Sequence, residues 1–123
     1  VDGVSCMATT LHWMTQTGLW NDTRGDNAYD SGDPFFDCYE TSDGKYVAIA
    51  TIEPKFYAEL RARMGLDGPE WDLRSRETWP RQRALLETIF KGKTREEWSA
   101  LLEGTDACFA PVLTLAEART HPH

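Results

Sequence analysis

Two runs of strand-forming residues flank an Asp-Gly pair in residues 35–51, which read FFDCYETSDGKYVAIAT. Aromatic and β-branched runs on either side of such a pair are typical of a tight turn between antiparallel strands. We therefore expect one strand over residues 35–41 and a second over residues 45–51. This hairpin is the strongest constraint that the sequence places on the fold.

Helical patterns lie before and after the hairpin. Apolar residues spaced as on one helix face predict a helix over residues 2–17. These residues are Val4, Met7, Ala8, Leu11 and Met14. Pro54 fits the first turn of a second helix, which Gly65 can end. A third helix is predicted over residues 80–91.

The last third of the chain adds a helix, a strand and a short helix. A capping box of Thr94 and Glu97 predicts the start of a helix that ends near Gly104. Residues 108–114, CFAPVLT, form a third apolar run, in which Pro111 restricts a strand to a sheet edge or a bulge. The order of elements predicts an α+β fold. We expect a small antiparallel sheet, made of the hairpin and the third strand, packed with helices and preceded by a connecting helix.

The acidic residues are concentrated in the first half of the chain. Residues 1–53 hold nine acids against two bases and so account for the whole net charge of −7. Nucleic-acid binding needs clustered Lys and Arg, so the sequence argues against it, and an acidic surface otherwise serves solubility. No apolar stretch approaches the roughly 18 residues that a membrane span needs. The three widely spaced cysteines fit neither a disulfide framework nor a zinc site and favour a reducing, cytoplasmic setting.

Glu53 stands where the second predicted strand meets the helix that begins at Pro54. A carboxylate beside a helix N-terminus is favoured by the helix dipole by about 0.3–1 kcal/mol, which is a complete structural explanation. A carboxylate at such a joint can also face a cleft and accept or relay a proton. The residues alone leave both interpretations open.

Asp37, Phe35, Phe36 and Ile52 are further candidates near this joint. Burial among aromatic residues would raise the pKa of Asp37, as expected of a proton-transfer group, whereas a strand-face aspartate more often points to water. The three apolar residues can line a cleft or pack in the core. The chain has no glycine-rich phosphate loop, HExxH, CxxC or nucleophile elbow, and we expect no metal site.

Three segments together carry a family resemblance. Residues 18–57, GLWNDTRGDNAYDSGDPFFDCYETSDGKYVAIATIEPKFY, are similar to the α-methylacyl-CoA racemases within the CaiB/BaiF (family III) CoA-transferase superfamily. Residues 104–123, GTDACFAPVLTLAEARTHPH, and residues 1–14, VDGVSCMATTLHWM, fit the same family. The first segment is specific, whereas residues 66–100 match loosely.

The resemblance implies a two-domain subunit of which this chain is a part. Residues 1–20 correspond to a helix that leaves a large, Rossmann-like domain binding coenzyme A, and residues 21–123 to a small α+β domain. Two such subunits interlock as a homodimer. The histidine and aspartate that exchange the proton of the acyl-CoA substrate belong to the absent N-terminal part, so we expect the fragment alone to be inactive. Coenzyme A enters as part of the substrate, and no other cofactor is expected.

The resemblance also implies roles for the residues near the strand–helix joint. In the racemases the glutamate of the IEP stretch lines the active site and supports the catalytic pair, which carries over onto Glu53, with Ile52 as its apolar neighbour. The PFFD stretch, with Phe35, Phe36 and Asp37, matches a mobile aromatic segment beside the acyl group. Phe36 stands where the family has tyrosine, which leaves it an apolar role.

Three functions remain open at this point. The first is 2-epimerisation of 2-methylacyl-CoA thioesters through an enolate, a reaction that needs a base on each face and donors for the oxyanion. The second is transfer of CoA between carboxylic acids through an aspartyl nucleophile in the missing domain. The third is a stand-alone binding or dimerisation module.

Overall fold

The computed structural model describes residues 1–72 and 75–123 and confirms the α+β class. Within these ranges it contains six α-helices and one three-stranded antiparallel sheet. The elements are α1 Asp2–Met7, α2 Thr9–Gln16, β1 Phe36–Glu40, β2 Tyr46–Ala50, α3 Pro54–Met64, a 3-10 turn Pro69–Trp71, α4 Trp79–Phe90, α5 Arg95–Leu102, β3 Phe109–Val112 and α6 Leu115–Ala118. None of these helices has the length and hydrophobicity to cross a membrane.

The sheet has the order β1-β2-β3, with β2 in the centre. The hairpin is confirmed: Phe36 pairs with Ala50 and Glu40 with Tyr46. Its turn ends at Gly44, whose φ of 70° lies in the left-handed region that favours glycine. The predicted third strand is also confirmed. Pro111 lies on this edge strand, a position where a sheet tolerates a residue without a backbone N–H.

The core lies between one face of the sheet and helices α3, α4 and α5. Tyr39 on β1 stacks on Phe90 of α4 with ring centroids 4.9 Å apart. Phe90 meets Trp98 of α5 edge to face at 5.1 Å, and the Trp98 indole N–H donates to the Phe90 carbonyl at 2.9 Å. These large rings fix the helices against the sheet and leave the other sheet face uncovered by them.

Local capping signals place the helix ends. Pro54 occupies the first turn of α3, and Gly65 ends that helix with φ 67°, both as predicted. The capping box of Thr94 and Glu97 is confirmed at the start of α5. A second capping box opens α6, where Thr114 accepts from the backbone N–H of Glu117.

The predicted single helix over residues 2–17 is wrong in one respect, because it is divided into α1 and α2 at Ala8. The Thr9 hydroxyl donates to the carbonyl of Ser5, a contact that bends helices. The apolar face that the pattern predicted is largely exposed: Met7 is 85% exposed, and Val4 and Leu11 are exposed as well. The helical arm formed by α1 and α2 thus presents apolar surface to solvent.

The long loop over residues 21–34 is built around the buried side chain of Asn27, which is 1% exposed. Its amide group donates to the carbonyls of Asn21 and Thr23 and to the carboxylate of Asp30. The Asp30 carboxylate also accepts from the backbone N–H groups of Asn27 and Gly25. These bonds give the loop a defined shape without regular secondary structure.

Candidate functional site

The open face of the sheet forms a shallow apolar groove of about 400 Å³. Strand alternation places every second residue on this face, opposite the core residues of the same strands. The side chains concerned are Phe36, Cys38, Ala48, Ala50, Cys108 and Ala110. The side chains in the middle of the sheet are alanines, which project little from its surface. The groove therefore lies over them, between the larger side chains at its edges.

Glu53 stands at the end of β2, beside this groove. It is the residue before α3 and has an extended backbone, with φ −71° and ψ 141°. Its side chain is exposed and makes no capping hydrogen bond. Burial raises the pKa of the groove-lining Cys108 thiol, and the negative charges of Glu53 and Asp106 raise it further. The Glu53 carboxylate is therefore close enough to act electrostatically on a group in the groove.

Cys108 turns the chain sharply into β3. Its φ of 45° is unusual for a residue other than glycine, and its carbonyl accepts a hydrogen bond from the N–H of Ala50 at 3.0 Å. Because its pKa is raised, the thiol stays protonated at neutral pH and is a poor nucleophile. Cys108 therefore contributes an apolar surface to the groove.

Phe36 and Ile52 complete the apolar surroundings. The Phe36 ring is half-buried and meets Tyr29 of the long loop edge to face, with centroids 5.7 Å apart. Ile52 is half-buried between β2 and Glu53, and its N–H donates to the Ala50 carbonyl at 3.1 Å. Of the residues suggested by the sequence, Phe36 therefore lines the groove, and Ile52 and Glu53 follow the end of the groove-lining strand.

Phe35 and the Asp37 carboxylate make their main contacts outside the groove. Phe35 is completely buried in the core, where it meets Tyr57 and Trp71 edge to face. The Asp37 side chain forms an ion pair with Arg83 of α4. Phe35 is therefore not presented to the groove, whereas Asp37 borders the groove and its carboxylate is engaged by Arg83.

Sequence reasoning did not single out three of the residues that shape this site. Tyr29 is an aromatic residue in a long polar loop, a pattern that could have indicated a binding residue. Ala110 is brought beside Ala48 by the pairing of β3 with β2, which no local pattern reveals. Arg83 lies 46 residues from Asp37, and nothing in the sequence near either residue indicates their pairing.

The described residues hold no group of three or more His, Cys, Asp or Glu side chains arranged to bind a metal ion. His121 is engaged with Glu103, at 2.8 Å between Nε2 and Oε1, away from the groove. The chemistry available is therefore that of an apolar surface with a carboxylate at its end. Such an arrangement can bind a hydrocarbon chain while Glu53 accepts a hydrogen bond or a proton from a neighbouring group.

Comparison with known proteins agrees with a fragment of a larger protein. The family described as CoA-transferase family III matches residues 2–123. An alpha-methylacyl-CoA racemase of Mus musculus is 42% identical over 125 residues, and one of Homo sapiens is 39% identical. Each match covers 100% of this chain and 32% of the relative. A CaiB/baiF CoA-transferase family protein of Caenorhabditis elegans is 30% identical over 98% of this chain and 34% of the relative.

This chain thus spans about a third of the length of the relatives it matches. The family match extends over the sheet, the helices around it and the helical arm, and so includes the whole of the groove and Glu53. The chain therefore belongs to CoA-transferase family III.

Proposed function

We propose that this chain is part of a 2-methylacyl-CoA racemase and supplies one wall of its acyl-CoA site. The observation that carries the proposal is the position of Glu53, a carboxylate with no capping hydrogen bond at the end of an apolar groove. The two relatives named as racemases match the whole chain, which supports the same activity for the protein that contains it.

The groove and Glu53 suit different parts of a 2-methylacyl-CoA. The hydrocarbon chain packs on Phe36 and the alanines of the sheet, where each buried methylene contributes about 0.8 kcal/mol. Removal of the proton beside the thioester carbonyl creates an enolate, so the reaction needs bases on both faces and donors for the oxyanion. Glu53 supports these groups by accepting a hydrogen bond from one of them and by stabilising its protonated form.

The proposal assigns the main catalytic groups to the part of the protein outside these residues. Residues 1–20 form the connection to that part, and residues 21–123 form a small domain. The site is completed in a homodimer, and coenzyme A participates only as part of the substrate. The isolated chain therefore carries a wall of the site and a supporting carboxylate, without turnover of its own.

The test uses the full-length protein that contains this chain. In D₂O, a 2-methylacyl-CoA should exchange its C2 proton for deuterium, as followed by mass spectrometry or NMR. Glu53→Gln should lower kcat by about 10²-fold, because a neutral amide no longer stabilises the protonated form of the catalytic group, and change KM by less than about threefold. Glu96→Gln, an exposed first-turn glutamate of α5, is the matched control. Absence of exchange by the wild-type protein would overturn the proposal.

CoA transfer between carboxylic acids is the second candidate, because the matching family is described as CoA-transferase family III. The two activities differ in their products. A second carboxylic acid added to the assay should gain CoA if the protein is a transferase, whereas the racemase leaves that acid free. Formation of the second thioester without C2 exchange would favour the transferase.

A further inference from the structure

The aromatic pair at the rim of the groove stands where loop and strand meet. Tyr29 belongs to the long loop, and Phe36 is the first residue of β1. The Tyr29 ring is about half exposed, and Phe36 lines the groove. A wall made of such residues keeps its shape only if the backbone around them is fixed by other contacts.

Arg83 of α4 bonds the backbone between Tyr29 and Phe36 and the side chain just after Phe36. Its Nη2 donates to the carbonyl oxygens of Ser31 and Gly32, which follow Tyr29 in the chain. Its Nη1 forms the ion pair with Asp37, the residue after Phe36. One guanidinium group thus joins helix α4 to the loop after Tyr29 and to the strand residue after Phe36.

The backbone at Ser31 and Gly32, to which Arg83 donates, has an unusual conformation. Ser31 has a φ of 70°, which residues other than glycine seldom adopt. At Gly32 a Cβ atom would lie 2.4 Å from the carbonyl oxygen of Asn27, so the chain passes too close to itself for any side chain there. Such a turn persists when its surroundings hold it in place.

The chemistry of this contact is specific to arginine. A guanidinium is planar, carries five N–H donors and can bond a carboxylate and two carbonyls at once, whereas an ammonium is a single point of charge. The side chains of Arg83 and Asp37 are 28% and 17% exposed, so water screens their attraction only in part. Lysine at this position would keep the positive charge but could not make the three hydrogen bonds in one plane.

We infer that Arg83 is a positioning residue of the acyl-CoA site, an inference that rests on the proposed function. Arg83 does not line the groove. It fixes Tyr29 and Phe36 at the rim, and so sets how a long acyl chain is held. A purely structural ion pair would change the stability of the protein and leave its preference among acyl chains unaltered.

The experiment compares Arg83→Met and Arg83→Lys with Arg81→Met in the full-length protein. Arg81 is an exposed residue on the same helix and serves as the matched control. We expect Arg83→Met to raise KM for a long-chain 2-methylacyl-CoA about tenfold, with KM for a short-chain analogue and both kcat values within about threefold of wild type. Arg83→Lys should lie between wild type and Arg83→Met.

Hydrogen exchange provides a readout that needs no turnover. Backbone amides in residues 27–37 should exchange faster in Arg83→Met than in Arg81→Met, while amides of β2 stay protected. Equal KM changes for long and short substrates, or a lower melting temperature alone, would overturn the inference. If Arg83→Met does not fold, Arg83→Lys tests the inference in its place. It should raise KM for the long-chain substrate by about threefold. An inactive wild-type protein would instead overturn the proposed function.

Discussion

Arg83 on α4 and Asp37 on β1 form an ion pair although 46 residues separate them in the chain. The second carboxylate oxygen of Asp37 accepts a hydrogen bond from the N–H of Cys38 at 2.8 Å. Both oxygens therefore have partners within the protein. The structure thus gives the Asp37 carboxylate the surroundings of an ion-pair partner, although the residue borders the groove.

Removal of the Asp37 carboxylate should destabilise the fold. Asp37→Ala loses a hydrogen bond to a charged partner and leaves the largely buried Arg83 without a carboxylate, so we expect a loss of about 1.5–3 kcal/mol in the free energy of unfolding. Urea denaturation of the chain measures this value. Asp67→Ala, at an exposed position after α3, is the control, and an equal loss in both variants would contradict the prediction.

Stability should fall in acid partly through Glu117. The Arg95 guanidinium, helped by the backbone N–H and hydroxyl of Thr114, lowers the pKa of Glu117 from 4.5 to about 2. A carboxyl group whose pKa is lower in the folded state contributes stability above its unfolded pKa, and this contribution is lost as pH falls from 4.5 towards 2.

The comparison of wild type with Glu117→Gln tests this pH dependence. Denaturation at a series of pH values should show a gap in unfolding free energy that is full at pH 6–7 and closes below about pH 4.5. Glu96→Gln, at an exposed position of the neighbouring helix α5, should give no such gap. A gap of constant size down to pH 2 would contradict the assignment to Glu117.

Two glycine-to-alanine substitutions should have opposite effects on stability. At Gly32 the new Cβ would meet the backbone of Asn27 at 2.4 Å, so Gly32→Ala must displace the loop and should cost more than about 2 kcal/mol. At Gly3, on the exposed face of α1, no atom lies within 4 Å of the new Cβ. Gly3→Ala should raise helix stability by about 0.5–1 kcal/mol. Thermal unfolding of both variants, followed by circular dichroism, checks the two signs.

The exposed helical arm predicts that the isolated chain associates with itself. Val4, Met7 and Leu11 present apolar surface to water, and surfaces of this kind are removed from water by association. Sedimentation analysis of the 123-residue chain should show larger species as concentration rises. Met7→Glu should abolish them, whereas Thr10→Glu, an exposed polar position of the same arm, should not. A chain that stays monomeric throughout would contradict the prediction.

Local signals predicted the elements of this fold well. The Asp-Gly turn, Gly65 at the end of α3 and the capping box of Thr94 each depend on a few neighbouring residues, and the structure confirms all three. The break at Ala8 was missed because the hydrophobic pattern continues across it. A pattern of apolar positions records which face is apolar and is insensitive to a local bend.

The groove was harder to predict because it depends on contacts between distant segments. Its centre combines Ala48 and Ala110, which only the register of β2 against β3 brings together. The hydrogen bond from Arg83 to the Ser31 carbonyl joins segments 52 residues apart. For Glu53, the residues alone favoured a helix-dipole role and left a site role open. The family resemblance favours the site role, which stays a prediction until Glu53→Gln is measured.

Phe35 and Phe36 are adjacent and should nevertheless respond to truncation in different ways. Successive residues of an extended chain point to opposite faces, so Phe35 packs in the core between Tyr57 and Trp71 while Phe36 lies on the groove side. Phe35→Ala should cost about 3–5 kcal/mol of unfolding free energy, the usual value for a large buried ring. Phe36→Ala should cost less than about 1.5 kcal/mol, because its ring is only half-buried.

The same pair separates a folding role from a binding role. In the full-length protein, Phe36→Ala should raise KM for a long-chain 2-methylacyl-CoA by about tenfold or more, since it removes apolar contact with the acyl chain. Phe36→Leu restores apolar bulk without a ring and should recover part of that loss. Denaturation and steady-state kinetics on the same preparations measure both effects. Similar stability losses in Phe35→Ala and Phe36→Ala, with unchanged KM in the second, would show that Phe36 serves the fold and does not hold the acyl chain.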